Sequence, residues 1–336
     1  LSISSVLYAL EHGEEYNSAV FDDVYTYTSH RFDTSDFRLQ SLARILYEHR
    51  DGITEDEYQT LKKTFLEMKY WMDQPGEDAM CYWSENHQLL FSASEYLAGQ
   101  FWPDEIFSNT GLTGKEHQEM AQGRILTWLE QRWLYGFTEW YSNTYYVEDI
   151  APLANLIDFA QDEQIVIKAR MILDLLLYDL ASQSHRGVFN SSSGRMYGNG
   201  KRYPEKNSMR AVVDSIWEPG RWGREPSQRK GMDLNFVFIN NYEVPAVIKA
   251  IGEDDQREVV IKASTGLDLT ELAGEGLIGQ EDRQIMMQWG MEAFSNDLVI
   301  ENSLEYLRRN NMFSNEFLHD FKDFNLSVLR YSGVAP

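Results

Sequence analysis

Residues 84–101 read SENHQLLFSASEYLAGQF, and this stretch decides the fold class. Its apolar residues recur at the three- and four-residue spacing of one helix face: Leu89, Leu90, Ala93 and Leu97. Ser84 stands where a helix N-cap is favoured, an acid follows in the first turn, and a Trp-Pro pair comes directly after residue 101. The stretch therefore predicts one α-helix that begins near Ser84 and ends near residue 101.

Five further stretches before residue 185 show the same helical periodicity. They cover residues 35–50, 54–71, 113–129, 143–160 and 162–182, and Thr54 and Thr113 each stand three residues before a glutamate, as in a capping box. No sustained alternation of apolar and polar residues predicts a β-strand here. Six helices with short connections predict antiparallel helical hairpins, so we expect an all-α fold.

The chain changes character at residue 185. Residues 185–233 are rich in Gly, Ser, Pro, Arg and Asn, and such a long irregular segment in a compact domain is usually functional or disordered. From His185 to Lys230 the local net charge is +6, so the rest carries −29. This basic segment could hold an anion, or it could neutralise acidic surface nearby. Pro245 then opens a predicted helix, further helices are predicted at 278–296, 301–310 and 316–329, and we expect one domain over residues 1–336.

Composition excludes several classes of function. The net charge of −23 argues against broad binding to nucleic acid or to an anionic membrane. No window is apolar over the roughly 18 residues of a membrane span. The single cysteine, Cys81, excludes an internal disulfide framework and a cysteine-rich zinc site, and we expect no metal and no cofactor. The first residues lack a basic signal-peptide region.

The start of the 84–101 helix is the first candidate site. Glu85, Asn86 and His87 follow Ser84 directly, after Trp83. In one interpretation these residues only cap the helix. In the other, Asn86 donates amide hydrogens to a substrate carboxylate and His87 acts as a base, because the histidine pKa lies near neutrality.

A second polar and aromatic cluster follows about fifty residues later. It contains Glu139, Trp140, Tyr145 and Tyr146. The tyrosines could be interior aromatics with satisfied hydroxyls. Alternatively one of them transfers a proton and Glu139 orients its neighbours. A tyrosine becomes a base only when nearby positive charge lowers its pKa, and the basic segment could supply that charge.

The third candidate lies in the glycine-rich part of the basic segment. Arg195 could grip a carboxylate with two hydrogen bonds, Tyr197 could stack on a sugar, and Lys201 and Arg202 add positive charge. Glycines there allow a close approach to a ligand. The alternative is an ordinary surface loop.

An Asn-His pair opening one helix, with a Gly-x-x-Glu and tyrosine segment some 50 to 60 residues later, resembles the α/α-toroid polysaccharide lyases. The alginate-lyase and heparinase II/III-like groups, and the related six-hairpin glycosidase-like superfamily, are the nearest families. His87 to Tyr145 spans 58 residues. The resemblance covers residues 80–205 and implies an (α/α) toroid, or incomplete barrel of helical hairpins, and a secreted or periplasmic enzyme. Glu85 stands where those lyases often show a second asparagine, and their usual β-sandwich is absent.

The resemblance implies β-elimination on a uronate-containing polysaccharide. Asn86, with Arg195, would neutralise the C6 carboxylate, His87 or a tyrosine would remove the C5 proton, and Tyr145 or Tyr146 would protonate the departing oxygen. The alternative enzyme is a glycoside hydrolase with Glu85 and Glu139 as its carboxylates. Its sugar-stacking walls would be Trp83, Trp140 and Trp102. A further alternative is a non-catalytic carbohydrate-binding protein. The oligomeric state is open.

Overall fold

The computed structural model describes residues 2–228, 230–255 and 258–323 of the chain, and that part is predominantly helical. The first eight of its fourteen α-helices are α1 (Ile3–His12), α2 (Ala19–Ser29), α3 (Ser35–Glu48), α4 (Glu55–Leu66), α5 (Glu85–Phe101), α6 (Gly114–Tyr135), α7 (Tyr146–Phe159) and α8 (Glu163–Ser182). The later ones are α9 (Gly198–Arg202), α10 (Arg210–Ile216), α11 (Leu234–Val237), α12 (Ala246–Glu253), α13 (Asp282–Gly290) and α14 (Asp297–Arg309). The all-α expectation is confirmed.

Strand structure among the described residues consists of two small antiparallel hairpins. They are formed by β1 (Ile106–Phe107) with β2 (Leu112–Thr113), and by β3 (Ser184–His185) with β4 (Val188–Phe189). Each strand is two residues long, so these hairpins close loops between helices and form no layer of their own.

The helix α5 lies at the centre of the molecule. It packs against α3, α6 and α7, and α7 packs in turn against α8. All its residues from Glu85 to Gly99 are buried, including the polar ones. A helix buried on every side must satisfy its polar side chains within the protein. The chemistry encoded in α5 therefore lies inside the fold, among the side chains of its neighbours.

The six helices predicted before residue 185 are present as α3 to α8, with some shifted ends. Capping boxes at Thr54 and Thr113 start α4 and α6 as predicted. α4 ends at Leu66, whereas the prediction extended it to Trp71. All four residues from Met68 to Trp71 are buried, which one face of an amphipathic helix cannot achieve.

The basic segment is less irregular than its composition suggests. It contains β4, α9 and α10, together with two short 3-10 helices at Pro204–Lys206 and Pro219–Trp222. Pro245 caps α12 as expected. In place of the helices predicted at 278–296 and 301–310, the structure has α13 and α14. The prediction for 316–329 meets only a 3-10 turn at His319–Phe321, and its part beyond residue 323 lies outside the described residues.

One large hydrophobic core joins both ends of the described chain, with members from Ile3 to Met312. A smaller cluster of Leu272, Leu277, Met287, Ala293 and Val299 lies beside it. Across the described ranges, no helix is both long and apolar enough to cross a lipid bilayer.

Candidate active site

The helix α5 begins at Glu85, whose carboxylate faces inward. Arg132 of α6 donates a hydrogen bond to it, and the backbone N–H groups of Thr138 and Glu139 donate two more, at 2.9 and 2.7 Å. Burial raises the pKa of this carboxyl group, whereas the Arg132 charge and the two N–H groups act to lower it. Both oxygens already hold a donor and the side chain has no solvent exposure. Glu85 therefore fixes residues 138 and 139 beside the start of α5.

Asn86 and Glu139 are joined directly. The Asn86 Nδ2 donates to Glu139 Oε2 at 2.5 Å, and Arg195 Nη1 donates to Glu139 Oε1 at 2.9 Å. Burial, followed by the Glu85 charge, raises the pKa of Glu139 to about 7. Asn86 is completely buried, so it positions Glu139. A carboxyl group with a pKa near neutrality can hold or release a proton at physiological pH.

His87 forms a dyad with Asp36, the second residue of α3. The distance from His87 Nδ1 to Asp36 Oδ2 is 2.6 Å, and the ring stacks on Phe37 with centroids 5.3 Å apart. Burial favours the neutral ring, but the charge and hydrogen bond of Asp36 outweigh it and raise the pKa of His87. Because Asp36 accepts from Nδ1, the other ring nitrogen, Nε2, is the one left for chemistry. None of the described residues hydrogen-bonds to it.

Arg195 and Tyr197 form the accessible part of the site, and both contact the buried Tyr145. The guanidinium carbon of Arg195 lies 4.2 Å from the centre of the Tyr145 ring, and Nη2 donates to the Tyr197 hydroxyl at 3.1 Å. The two tyrosine hydroxyls are hydrogen-bonded to each other. Burial and the Tyr197 hydrogen bond raise the pKa of Tyr145. The Arg195 charge acts to lower this pKa, as the prediction of a tyrosine base requires, but burial outweighs it and favours the protonated hydroxyl.

The loop that carries Arg195 is fastened to the segment before α7. Gly194 N–H donates to Trp140 O at 2.9 Å, and Ser142 Oγ donates to Arg195 O at 2.7 Å. A Cβ atom on residue 194 would lie 2.3 Å from Thr138 O, so only glycine allows this approach. Tyr141 has φ of 54°, a strained backbone region for a residue with a side chain. The Arg195 loop and the segment before α7 therefore fix each other's position.

The remaining predicted residues lie at the edge of this site or away from it. Tyr146 is core: its hydroxyl donates to Asp179 Oδ2 at 2.9 Å and accepts from Tyr141 N–H at 2.8 Å. Trp140 is half-buried beside the Arg195 loop. Lys201 and Arg202 are exposed on α9.

Trp83 does not join the polar site but lines an apolar cavity of about 460 Å³. Trp289, Phe294 and Phe317 line it too. The cavity and the polar site share the segment around residues 289–294, because Glu292 accepts from Arg195 Nη1 at 3.4 Å.

Three acidic residues of the site were not predicted. Asp36 lies on the buried face of α3, three residues before Leu39. An acidic residue at the helical spacing of the apolar face was the sequence signal that could have identified it. Glu148 and Asp149 stand in the first turn of α7, among residues that are all buried. Burial raises the pKa of each of these two carboxyl groups well above its ordinary value. Burial therefore favours the protonated form of both groups.

A metal site is not part of this arrangement. Among the described residues, Glu11, Glu48 and His49 are the one set whose ligand atoms come close enough together for an ion. Glu48 accepts twice from Arg44, both times at 3.0 Å, so its charge is already compensated. Glu48 also lies twelve residues after Asp36 in α3. An α-helix rises 1.5 Å per residue, so the two residues are about 18 Å apart along its axis.

No family model, curated protein or solved structure matches this chain. The chemistry of the site therefore has to be argued from its own geometry.

Proposed function

We propose that the protein is a polysaccharide lyase that cleaves a uronate-containing chain by β-elimination, with its helical hairpins arranged as an (α/α) toroid or incomplete barrel. The observation that carries the proposal is the grouping around Glu139. Asn86 and Arg195 both hold that carboxylate, and Arg195 connects it to two tyrosine hydroxyls. The His87–Asp36 dyad begins one residue along α5. A base, a cation and a proton donor are the three groups that β-elimination requires.

Arg195 is the group that binds the substrate carboxylate in this proposal. Its guanidinium is about one-third exposed, and its pairing with the exposed Glu292 is the weaker of its two ion pairs, at 3.4 Å against 2.9 Å for Glu139. A uronate carboxylate can take the place of Glu292 and receive two parallel N–H donors. Neutralising that carboxylate makes the adjacent C5 proton acidic, and such a donor is worth about 3 kcal/mol in the transition state.

His87 is the base and a tyrosine is the acid. His87 Nε2 takes the C5 proton, and Asp36 stabilises the positive ring that forms. Tyr145 or Tyr197 then donates its hydroxyl proton to the departing glycosidic oxygen, and the electron pair of the C5–H bond becomes the new C4–C5 double bond. The raised pKa of Tyr145 keeps its hydroxyl protonated before the reaction, which a proton donor requires.

The test is the ultraviolet absorbance of an unsaturated product, with polymannuronate, polyguluronate, polygalacturonate and heparosan as substrates. On the polymer that is cleaved, His87→Ala should lower kcat by about 10² to 10⁴, the range for loss of a general base. His49→Ala is the matched control, because His49 also pairs with a carboxylate, Glu11, at 2.9 Å but lies away from the site. Unchanged turnover in His87→Ala would overturn the assignment.

The two tyrosines can be separated in the same assay. We expect Tyr145→Phe or Tyr197→Phe to lower kcat, because each removes one hydroxyl of the pair. Tyr146→Phe should instead lower stability, since its hydroxyl bonds Asp179 and the Tyr141 backbone. Loss of kcat only in Tyr146→Phe would reverse the assignment of the donor.

A glycoside hydrolase is the second candidate, favoured by the pKa of about 7 at Glu139, which suits a general acid. The pairing of Glu139 with Glu85 lacks support, because both Glu85 oxygens hold internal donors. A hydrolase would release reducing ends without ultraviolet absorbance. Saturable binding of a polymer without either product would favour the non-catalytic carbohydrate-binding alternative.

A further inference from the structure

Glu148 is a buried acid that the fold itself does not use. It lies in the first turn of α7, three residues after Tyr145, with 7% of its surface exposed. Its Oε2 is buried and accepts no hydrogen bond from any described residue. Glu139 holds two side-chain donors, whereas Asp36 Oδ1 and both Asp149 oxygens are likewise buried without a partner among the described residues. Asp36 and Asp149 have no solvent exposure, so among these unpaired acids Glu148 is the one that is partly exposed. An unpaired polar atom at such a place costs stability, which is typical of a group kept for a ligand.

The charges around Glu148 come from several elements of the site. Glu139 acts on it most strongly, followed by Asp36 of α3, Arg195 of the basic segment, and Asp33 just before α3. On its own helix it acts on Asp149, and it also raises the pKa of the preceding Tyr145. Three carboxylates thus act on Glu148 against one guanidinium, so Glu148 belongs to the same polar site and its protonated form is favoured.

We propose that Glu148, as a neutral carboxylic acid, donates a hydrogen bond to the C6 carboxylate of the bound uronate, beside Arg195. This assignment rests on the proposed function, because it names a second group that recognises the same substrate carboxylate. The proton stays between the two carboxyl groups and returns to Glu148 when the product leaves, so no net transfer occurs. The bond strengthens as negative charge develops on the C6 oxygens during removal of the C5 proton.

The neutral acid solves an electrostatic problem of this site. A uronate is an anion, and the charges of Asp33, Asp36 and Glu139 all act on Glu148, beside which it would bind. An ionised Glu148 would add to the repulsion, whereas a protonated Glu148 turns one acidic neighbour into a donor. A neutral sugar gains no such charge-assisted bond, so Glu148 selects uronates over the corresponding hexoses.

Binding of methyl glycosides tests this assignment. The probes are the methyl glycosides of glucuronate, mannuronate and galacturonate, with the neutral hexosides as controls. They carry the carboxylate but no sugar at O4, so they bind without chain cleavage. Titration calorimetry should show Glu148→Ala binding the preferred uronate at least 10-fold more weakly, since a hydrogen bond to a charged group is worth about 1.5–3 kcal/mol. Glu148→Gln should bind it within about 3-fold of the wild type, because the amide still donates.

The pH profile separates this role from a structural one. Wild-type affinity should fall with rising pH more steeply than that of Glu148→Gln, by up to about 10-fold more per pH unit once Glu148 ionises, because the titration of Glu139 and His87 affects both proteins. Glu163→Gln is the matched control, an exposed acid in the first turn of α8 that should leave binding unchanged. If Glu148→Ala does not fold, the profile of Glu148→Gln still decides.

The outcomes separate this role from the proposed elimination. Glu148→Ala binding like the wild type, Glu148→Gln retaining the wild-type pH slope, or wild type binding no uronate probe would each overturn the Glu148 assignment. If a polymer gives unsaturated product in spite of any of these results, the proposal of β-elimination is retained. Uronate binding that depends on Glu148, without unsaturated product from any polymer, retains the assignment and refutes the elimination.

Discussion

Replacing Glu85 by glutamine removes one charge from an ion pair that solvent does not reach. The Glu85 side chain is fully buried and Arg132 is 2% exposed. The glutamine has nearly the same shape, but its amide carries no charge. One of its two terminal groups also becomes a donor facing the backbone N–H groups of Thr138 and Glu139.

The size of the effect follows from these contacts. Leaving a buried charge without its partner costs about 3–5 kcal/mol, and this range already contains the lost hydrogen bond, because both losses concern one carboxylate. Unfolding entropy of about 2.1 cal/mol/K per residue gives about 0.7 kcal/mol/K for 336 residues. The melting temperature should therefore fall by about 4–7 °C.

Thermal and denaturant unfolding at pH 7.5 measure this change, and Glu55→Gln is the matched control. Glu55 is likewise the first residue of a helix and pairs with an arginine, Arg50, but its side chain is 64% exposed. An exposed ion pair contributes about 0–1 kcal/mol, so the control should unfold almost like the wild type. Equal and small effects in both variants would refute the structural role of Glu85 and make it available again as a hydrolase carboxylate.

Three further changes follow from buried or capping contacts. Lys69→Met should lower the free energy of unfolding in denaturant by about 3–5 kcal/mol, because it leaves the buried Asp78 carboxylate without its cationic partner. Thr113→Ala should cost about 1 kcal/mol in the same assay through loss of a capping box. Burial raises the pKa of Asp179 to about 6, so its ionisation costs stability as pH rises through that value. Asp179→Asn should therefore gain about 2 kcal/mol on the wild type between pH 4 and pH 7, measured by unfolding at each pH.

Local sequence signals predicted most of the helical fold. Capping boxes and apolar periodicity located α3 to α8, because both act within one or two turns of chain. The same signals missed α1 and α2, which are only ten and eleven residues long. α2 is rich in Val, Thr and Tyr, which have modest helix propensity, and Ser18 makes no side-chain cap. Tertiary packing stabilises such helices, and one sequence does not reveal it.

The site was predicted only in part, because its groups depend on burial. Arg195 and Tyr145 were named from their residue types, and the structure brings them within 4.2 Å of each other. Tyr145 and Tyr146 could not be distinguished, since neighbouring residues in a turn look alike until one of them is buried against Asp179. Glu148 resembles any first-turn acid of a helix, such as Glu163. Only the burial of its oxygen separates the two.

The three residues that made the start of α5 conspicuous act in three directions. Successive residues of an α-helix point about 100° apart, so Glu85, Asn86 and His87 cannot share one partner. Their partners come instead from three places: Arg132 of α6, Glu139 of the loop before α7, and Asp36 of α3. Because α5 is surrounded by these elements, one helical turn fixes the loop, the central carboxylate and the imidazole together. A dense polar motif on a central helix therefore forms a site by binding side chains and backbone groups of the surrounding elements. Of the three residues, His87 is the one with a polar atom left for a substrate.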